Sequence, residues 1–427
     1  MQSYLLKNIN IVDEQSEFNG QTGDLLIENG VVKLFEIDHS LQNADQIIDF
    51  TGCFATPSFI DVRCNSSEPG FEHRETYETL NKTALYGGYS QIALLPNCFP
   101  NRNSKTEVNY VINQSKQFPV QFLPLGTITQ DMKGEDLSEM FDMLSAGAVA
   151  FSNGNYAIEN SGTMSKAILY SKNFDGLIYS FCHLSELAKG AYVNEGTVAL
   201  SLGLKGIPQM AEYLQVQRDI ELADYHQHKI HISKVSTERS VEIIRQAKLQ
   251  GIKVTCDVAV MNLVLTDEAL MEFDSHLKLM PPLRQANDVK ALWEGIADGT
   301  IDAICSDHHP QEIEKKNVEL EYAAYGASTL QIALSLAVEG RNRFKPLLSD
   351  NILFSKFNVG PANVLGLNYS SIQIDKPVSI SIINPHQQTM LNTKNNQSLS
   401  QNSYYIGKPL PYFVEAIFNH QFTHFNP

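Results

Sequence analysis

Ionisable and polar side chains directly follow several short apolar runs of the sequence. Asp307 comes after Ala303–Cys305, Lys234 comes after the run that ends at Ile232, and Arg63 and Asn65 come after the run that ends at Asp61. If these runs are parallel strands of a closed barrel, their C-terminal ends surround one site. An aspartate there is typical of an acid/base catalyst or a metal ligand. Two cations and a neutral amide are not ligands that zinc prefers, so the set lacks the three or four ligands of a zinc site.

The histidines and cysteines allow two alternative metal sites. A relocated site could use four histidines, His73, His183, His308 and His309. The adjacent pair His308 and His309 is the best of them, but neighbouring residues of a strand point to opposite faces. His231 lies within an apolar run and is predicted to be a hydrogen-bonded core residue. The six cysteines form no CxxC pair, which leaves a thiolate site assembled from distant residues as the second alternative.

The elements that would position these side chains alternate along the middle of the chain. Between about Phe54 and Leu348, short apolar runs alternate with amphipathic segments such as Glu238–Gln250. The runs predicted as buried parallel strands are Ile92–Leu95, Ala148–Phe151, Gly176–Tyr179, Lys229–Ile232 and Ala303–Cys305. Many βα units in one block predict an α/β fold with a (β/α)8 TIM-type barrel.

The two ends of the chain have strand character instead. Alternating apolar positions in Tyr4–Val12 and the Asn29-Gly30 turn signal predict strands near the N-terminus. Val378–Ile383 and Tyr412–Phe418 predict strands near the C-terminus, and the polar run Asn392–Asn402 predicts an exposed loop. We therefore predict two domains, a discontinuous small β-sandwich formed by residues 1–52 and 366–427, and the barrel formed by residues 53–365.

Composition excludes several classes of function. Of the 427 residues, 43% are hydrophobic, and the net charge of −16 disfavours a nucleic-acid partner, which needs clustered Lys and Arg. No run of about 18 apolar residues predicts a membrane span, and Met1–Asn10 does not have the pattern of a signal peptide. Cysteines without a secretion signal are typical of reduced thiols, so we expect a cytoplasmic protein.

A series of ordered motifs resembles one enzyme family, the dihydroorotases of the amidohydrolase superfamily. The stretch from Asp61 to Glu72 resembles the family's opening D-x-H-x-H-x-R-E-P-G-x-E, and Leu95-Pro96-Asn97 resembles its M-P-N. The match continues in order through Asn194-Glu195-Gly196, Gly203–Pro208, Ala211-Glu212, Arg218-Asp219, Val235-Ser236-Thr237, Pro281-Pro282-Leu283-Arg284 and Asp307-His308. It extends over nearly the whole chain.

The resemblance implies a zinc enzyme, but the ligand positions carry other residues. Dihydroorotases interconvert carbamoyl aspartate and dihydroorotate with one or two zinc ions, held by histidines and carboxylates, and with an aspartate as acid/base. Position by position, the family's histidines fall on Arg63, Asn65, Phe181 and Lys234, and the two acids of its F-S-D-D-G segment fall on Asn153 and Gly154. Asp307 alone keeps its family identity, as a vestigial acid/base. We therefore expect no metal cofactor.

Positions for substrate recognition differ from the family in the same way. The arginine that would clamp a substrate carboxylate falls on Ser67, which lacks a bidentate cationic fork. The family's asparagine that precedes the Pro281-Pro282 pair falls on Met280. The last histidine of its D-H-A-P-H segment falls on Gln311. Asn97 alone keeps a substrate-binding role by resemblance.

Two functions of different class follow. The first is a dihydroorotase-like protein of pyrimidine biosynthesis without catalysis, kept as a structural or regulatory partner of aspartate carbamoyltransferase and itself a homo-oligomer, most simply a dimer. The second is a working amidohydrolase with an atypical site, acting on dihydroorotate or another cyclic amide. Hydantoinases and allantoinases fit less well, because Glu68–His73 and Pro281–Arg284 have the dihydroorotase pattern.

The charges at the altered positions predict which side chains form ion pairs. A buried carboxylate without a cation is costly, so Asp307 needs a proton or a positive partner. The family resemblance implies that the position of Arg63 ends strand 1 of the barrel and that of Asp307 ends strand 8, and these strands are neighbours after closure. We predict that the Arg63 guanidinium lies within salt-bridge reach of Asp307 or Asp61. Lys234, two strands away from Asp307, is expected to reach across the pocket or to bind an anion.

Overall fold

The computed structural model describes residues 3–38, 43–377, 379–419 and 422–427. Met1 and Val378, with which two of the predicted segments begin, lie outside the described residues. None of the described helices is both long and apolar enough to span a membrane.

Strands fall into three groups along the chain. The first five are β1 (Ser3–Ile11), β2 (Thr22–Glu28), β3 (Val31–Glu36), β4 (Gln46–Asp49) and β5 (Phe54–Pro57). The middle group is β6 (Phe59–Asn65), β7 (Tyr89–Leu95), β8 (Gln121–Gly126), β9 (Ala150–Ser152), β10 (Ile178–Phe181), β11 (Val193–Asn194), β12 (Gly206–Ile207), β13 (Ile230–Ser233), β14 (Val254–Ala259) and β15 (Ala303–Cys305). The last group is β16 (Ser379–Asn384), β17 (Thr389–Met390), β18 (Pro409–Leu410), β19 (Phe413–Asn419) and β20 (Thr423–Phe425).

Helices follow most of the middle strands. They are α1 (Tyr77–Tyr86), α2 (Lys105–Ser115), α3 (Met140–Ser145), α4 (Ser161–Lys172), α5 (Thr197–Leu202), α6 (Met210–Tyr225), α7 (Glu238–Leu249), α8 (Met261–Val264), α9 (Ala286–Ala297), α10 (Ala333–Phe344), α11 (Asp350–Ser355) and α12 (Val359–Leu365). In α7, Val241, Ile244 and Ala247 are buried at helical spacing, as the sequence predicts.

The middle strands form an eight-stranded parallel barrel. Their order is β6, β7, β8, β9, β10, β13, β14, β15. The barrel closes between its first and last strands, where the Asn65 amide donates to the His308 carbonyl at 2.9 Å and Cys64 and His308 form a parallel bridge. Parallel barrel strands are covered on both faces, which explains why every residue of β6 is buried. The predicted barrel is confirmed.

Both ends of the chain meet in a second eight-stranded sheet. It runs in the order β20, β19, β16, β5, β1, β2, β3, with β4 paired to β1. Tyr4 and Phe418, from strands that are not adjacent in this sheet, have ring centroids 5.2 Å apart, so the sheet curves around its own apolar core. The predicted small β domain from both chain ends is confirmed. The exact domain bounds stay a prediction, and β5, which we placed in the barrel segment, hydrogen-bonds within this sheet.

One prediction about the C-terminal region is only partly right. The run Asn392–Asn402 is a loop with exposed residues such as Thr393 and Lys394, but Ser398, Ser400 and Asn402 are buried. Asn402 Nδ2 donates to the carbonyls of His309 and Gly326, at 3.0 and 3.2 Å. Polar side chains can be buried when hydrogen bonds satisfy them, and polarity alone does not reveal those partners.

Candidate functional site

Arg63 lies at the centre of the C-terminal end of the barrel. It belongs to β6 and is fully buried. Its Nε donates to Asp307 Oδ1 at 3.3 Å, and Nη1 donates to Ser233 Oγ at 3.1 Å. Its Nη2 donates to the Gly154 carbonyl at 3.0 Å and to Asn155 Oδ1 at 2.6 Å. The predicted ion pair with Asp307 is confirmed, and the guanidinium connects residues that follow or end three other barrel strands.

Lys234 brings a second cation to the same place. It directly follows β13 with φ of 56°, in the left-handed region that non-glycine residues rarely adopt. Its ammonium donates to Asp307 Oδ2 at 3.1 Å, to Asn155 Oδ1 at 2.9 Å and to the Met280 carbonyl. Burial lowers the pKa of this lysine to about 8, although the Asp307 carboxylate opposes that shift. Lys234 reaches across the barrel, as expected, and pairs with the carboxylate there.

Asp307 and Asn155 are the acceptors that hold the two cations together. One oxygen of Asp307 faces Arg63 and the other faces Lys234, and the carboxylate side chain is 15% exposed. Asn155 Oδ1 accepts from both cations. Sequence reasoning missed Asn155, whose one signal is its position in the loop after β9. We call Arg63, Lys234, Asp307 and Asn155 the ion cluster.

Phe181 packs its ring beside both cations. The ring centroid lies 5.9 Å from Arg63 Cζ and 5.1 Å from Lys234 Nζ. An aromatic face attracts a cation at such distances. Phe181 ends β10 and is buried, so this contact is shielded from water.

The Asn153 side chain belongs to the wall of the site, whereas Gly154 packs against Asn97 and also gives its carbonyl to Arg63. Asn153 Oδ1 accepts from the amides of Ile128 and Thr129, both at 3.1 Å, and its Nδ2 donates to Thr129 Oγ1 at 2.7 Å. Gly154 has φ of 63°, and a Cβ added to it would lie 1.8 Å from Asn97 Oδ1. A side chain at position 154 would therefore require Asn97 to move.

Asn65 and Asn97 border a cavity of about 540 Å³ at the same end of the barrel. Asn65 Nδ2 donates to the His308 carbonyl at 3.1 Å. Among the described residues, neither Asn65 Oδ1 nor Asn97 Oδ1 has a hydrogen-bond partner, although both atoms are buried. Ser67, Met280, Asp307 and Gln311 also line the cavity.

A layer of buried polar groups lies beneath the ion cluster. Asp257 Oδ2 accepts from His231 Nε2 at 2.8 Å and from Ser233 Oγ at 3.1 Å. Burial alone would raise the pKa of Asp257, but the bond and charge of His231, with Arg63 nearby, hold it below its usual value. Asp61 accepts from Ser306 and the Arg63 amide, and burial raises its pKa to about 7. His231 is thus a bonded core residue, as predicted, whereas the sequence analysis missed Asp257 within its apolar strand.

The remaining histidines do not converge. His308 Nε2 lies 3.3 Å from buried Glu75, and its Nδ1 accepts from the Thr329 amide. His309 lies beside Gln311, whose Nε2 is 3.1 Å from its ring nitrogen. His73 contacts Glu312 at the rim. Over the described ranges, no group of three or more His, Cys, Asp or Glu side chains could hold a metal ion.

The donor set at the C-terminal end of the barrel does not fit zinc. Zinc needs lone pairs from imidazole, thiolate or carboxylate groups. Arg63 and Lys234 present N–H donors that carry positive charge, and the two carboxylate oxygens of Asp307 already accept from them. The arrangement can hold a carboxylate in place and neutralise it, which differs from activating a water molecule.

Comparisons with known proteins agree with one another. Residues 52–240 match a family model described as dihydro-orotase-like. A dihydroorotase of Acetivibrio thermocellus is 39% identical over 405 residues, covering 94% of this chain and 94% of that protein. A dihydroorotase of Thermoanaerobacter sp. is 36% identical, covering 96% and 95%.

The solved structures of two other proteins share the architecture. The L-hydantoinase of Arthrobacter aurescens superposes with a TM-score of 0.86 at 22% identity, covering 99% of this chain and 96% of that one. The dihydropyrimidinase of Brevibacillus agri superposes with a TM-score of 0.81 at 18% identity, covering 99% and 94%. At these identities the likeness concerns the fold.

Proposed function

The chain belongs to the dihydroorotase-like family of amidohydrolases, and from this premise we propose that it is a member that has lost its zinc ligands and acts without catalysis. The ion cluster is the observation that carries the proposal. Arg63, Asn65, Phe181 and Lys234 stand at the family's histidine positions, and the two cations pair with Asp307. The proposed role is that of a structural or regulatory partner.

Electrostatics supports the loss of zinc. Two unit positive charges 4 Å apart repel each other by about 4 kcal/mol at an effective dielectric constant of about 20. The repulsion is about twice as large when one of the two is a divalent ion. Zinc at the end of this barrel would meet both a guanidinium and an ammonium. Its one carboxylate ligand would have to leave both cations, which would then be buried without a partner.

The proposed partner is the catalytic chain of aspartate carbamoyltransferase, the preceding enzyme of pyrimidine synthesis, with the chain itself forming a dimer. What supports this is a complete barrel and β domain maintained around a site whose metal positions are filled by other residues. The family resemblance is the reason for naming this partner.

The alternative is a working amidohydrolase with an atypical site. The relatives favour it, since dihydroorotases are 34–39% identical to this chain. It requires Asp307 to act as acid/base while it is bonded to both Arg63 and Lys234.

Turnover measurements decide between the two. We expect no conversion of dihydroorotate or carbamoyl aspartate above background by protein produced in a host that lacks its own dihydroorotase. The single variant Arg63→His should stay inactive, because one ligand does not complete a zinc site. Turnover by the unaltered protein, abolished by Asp307→Asn, would establish the alternative.

A further inference from the structure

Part of the loop after β15 forms a wall of the cavity at the C-terminal end of the barrel. We call residues 316–326 the rim segment. Tyr325 and Gly326 line the cavity, whereas residues 317–319, 321 and 322 are exposed. The rim segment has turns but no helix or strand. Contacts other than a regular backbone ladder must therefore hold it in place.

Two buried lysines bind the backbone of the rim segment. Lys316 Nζ donates to the carbonyls of Ala324 and Gly326, at 2.8 and 3.0 Å. Lys278 Nζ, from the segment before α9, donates to the Glu321 carbonyl at 2.6 Å. Within the part of the chain that the structure describes, neither nitrogen has a carboxylate within salt-bridge distance. These surroundings accept N–H groups without neutralising a charge.

The two lysines differ in the groups that surround their nitrogens. Lys278 Nζ lies 4.8 Å from the ring centroid of Tyr192 and 5.0 Å from that of Tyr325, and aromatic faces stabilise a cation. Lys316 is fully buried and has only its two carbonyl acceptors among the described residues. An ammonium group has three N–H donors, whereas a neutral amine has two. The acceptors thus suit a cation at Lys278 and a neutral amine at Lys316.

Electrostatics points in the same direction. Burial, and after it the charge of Lys278, lowers the pKa of Lys316 to about 7, although Asp274 opposes this shift. Burial also lowers the pKa of Lys278, which Glu321 opposes. A proton on Lys316 would thus add a second positive charge, and a third donor without an acceptor, inside one packed region.

The other titratable groups around the two lysines do not supply the missing negative charge. Asp274 Oδ1 already lies 2.8 Å from His276 Nδ1. Burial raises the pKa of Tyr192 and raises that of Tyr325 to about 12, so both phenols stay neutral at physiological pH. His309, which packs against Gly326, is also neutral, because burial lowers its pKa to about 3.

We propose that the rim segment is a pH-controlled lid of the cavity, held closed by neutral Lys316 and released when this lysine takes up a proton. In the released state the ammonium reaches water, which solvates its charge and all three donors. The open form binds a proton that the closed form excludes, so opening becomes less favourable as the pH rises from about 7 to about 10. This inference does not depend on the proposed loss of the zinc ligands.

Amide hydrogen exchange of the whole protein, followed by mass spectrometry, tests the lid. The protection factor of the rim segment is the exchange rate of an unstructured chain divided by the observed rate, both at the same pH. We expect this factor to be at least about tenfold lower at about pH 6.5 than at about pH 9. At both pH values the rim segment should exchange faster than α7, because a local opening exposes it.

Matched variants connect the pH effect to Lys316. Lys316→Met should lose most of the pH dependence, and Lys278→Met, which removes the neighbouring charge, should reduce it. The control is Lys315→Met, whose half-exposed lysine pairs with Glu312 and which should keep the full dependence. If Lys316→Met does not fold, Lys278→Met decides. Three results would each overturn the proposal: protection that does not change with pH, a full pH effect in the deciding variant, or exchange of the rim segment only together with α7.

Discussion

The four side-chain hydrogen bonds of Arg63 reach three different parts of the barrel. The partners are Asp307 after β15, Ser233 at the end of β13, and Gly154 with Asn155 after β9. A planar guanidinium with five fixed donors suits such a junction better than a lysine. The side chain therefore holds strand ends together in the place where the family resemblance implies a zinc ligand.

Removing the Arg63 guanidinium should destabilise the fold. Arg63→Ala leaves the Gly154 carbonyl without its Arg63 donor, Ser233 with Asp257 alone and Asp307 with Lys234 alone, so we expect a loss of about 3–5 kcal/mol in the free energy of unfolding. Urea unfolding measures it. The control is Arg245→Ala, whose partly exposed arginine on α7 pairs with Glu242 and Asp298 and should cost less than about 1 kcal/mol. Equal losses in both variants would contradict the central role of Arg63.

Lys234 gives a pH dependence with a definite sign. Its pKa is about 8 in the fold and about 10.4 in an unfolded chain. Between these values the unfolded chain binds more protons, so this lysine makes stability rise with pH. The unfolding free energy of the wild type relative to Lys234→Met should therefore increase between pH 8 and about pH 10. If urea titrations show that this difference in unfolding free energy stays constant or falls, burial does not lower the pKa of Lys234.

Charge and the family resemblance together predicted part of this site. The ion pair of Arg63 with Asp307 followed from their charges and from the strand positions that the resemblance implies, because the first and last strands of a closed barrel are neighbours. Asn155 and Asp257 could not be predicted in the same way. An asparagine in a loop has no periodic pattern, and an aspartate within an apolar strand gives no sign of the partners that pay for its burial.

At the scale of elements, many of the family's motifs build a scaffold away from the ion cluster. Arg284 donates to Asn194 Oδ1 at 2.9 Å and to Ser236 Oγ at 3.0 Å. Glu212 accepts from the amides of Ser236 and Thr237 at 2.9 and 3.0 Å. Motifs that lie far apart in the sequence thus form one buried network. This structural role explains why the chain has these motifs although its ion cluster differs from the family's site.

The C-terminal segment 396–406 connects the loops around the cavity. Ser398 Oγ bonds to buried Glu75, and Ser400 Oγ donates to the carbonyls of Arg74 and Gln311 at 3.0 and 2.9 Å. Asn402 adds the carbonyls of His309 and Gly326. The sequence could not predict these contacts, because they join residues about 75 to 326 positions apart.

Loss of the Asn402 carboxamide should loosen these loops. Asn402→Ala leaves the His309 carbonyl and the Ser328 hydroxyl without their partner, and the Gly326 carbonyl with Lys316 alone, at about 1–3 kcal/mol for each unsatisfied buried group. We expect a lower free energy of unfolding and faster proteolytic cleavage within residues 309–328. The neighbouring Gln401→Ala, at an exposed position, is the control and should change neither. Unaltered cleavage of Asn402→Ala would show that the segment does not hold the loops.

At the scale of the whole molecule, the fold followed from sequence patterns more fully than the site did. The alternation of apolar runs and amphipathic segments predicted the barrel, and the strand pattern at both ends predicted the β domain. Periodicity reports which faces are buried, which is enough to define layers. Periodicity does not predict that β5 pairs with β1 and β16, because strand pairing depends on contacts between residues far apart in the sequence.

Association is the function that a framework without catalysis would retain. We expect the chain to co-purify from its native cell with an aspartate carbamoyltransferase chain at low ionic strength, and to behave as a dimer in solution by light scattering. The folded fraction of Arg63→His, whose change lies within the buried site, should co-purify equally well. Recovery of the folded chain without any carbamoyltransferase would count against the proposed partner.

Zinc content is the measurement that tests the loss of the metal site most directly. Protein purified without chelators, then incubated with excess zinc and desalted, is analysed by elemental mass spectrometry, with a relative that has the family's histidines as the positive control. The ion cluster predicts far less than one zinc ion per chain, because guanidinium and ammonium groups stand where the family resemblance implies ligands and Asp307 is bonded to both. About one zinc per chain, lost on substitution of Asp307 by alanine, would contradict the account.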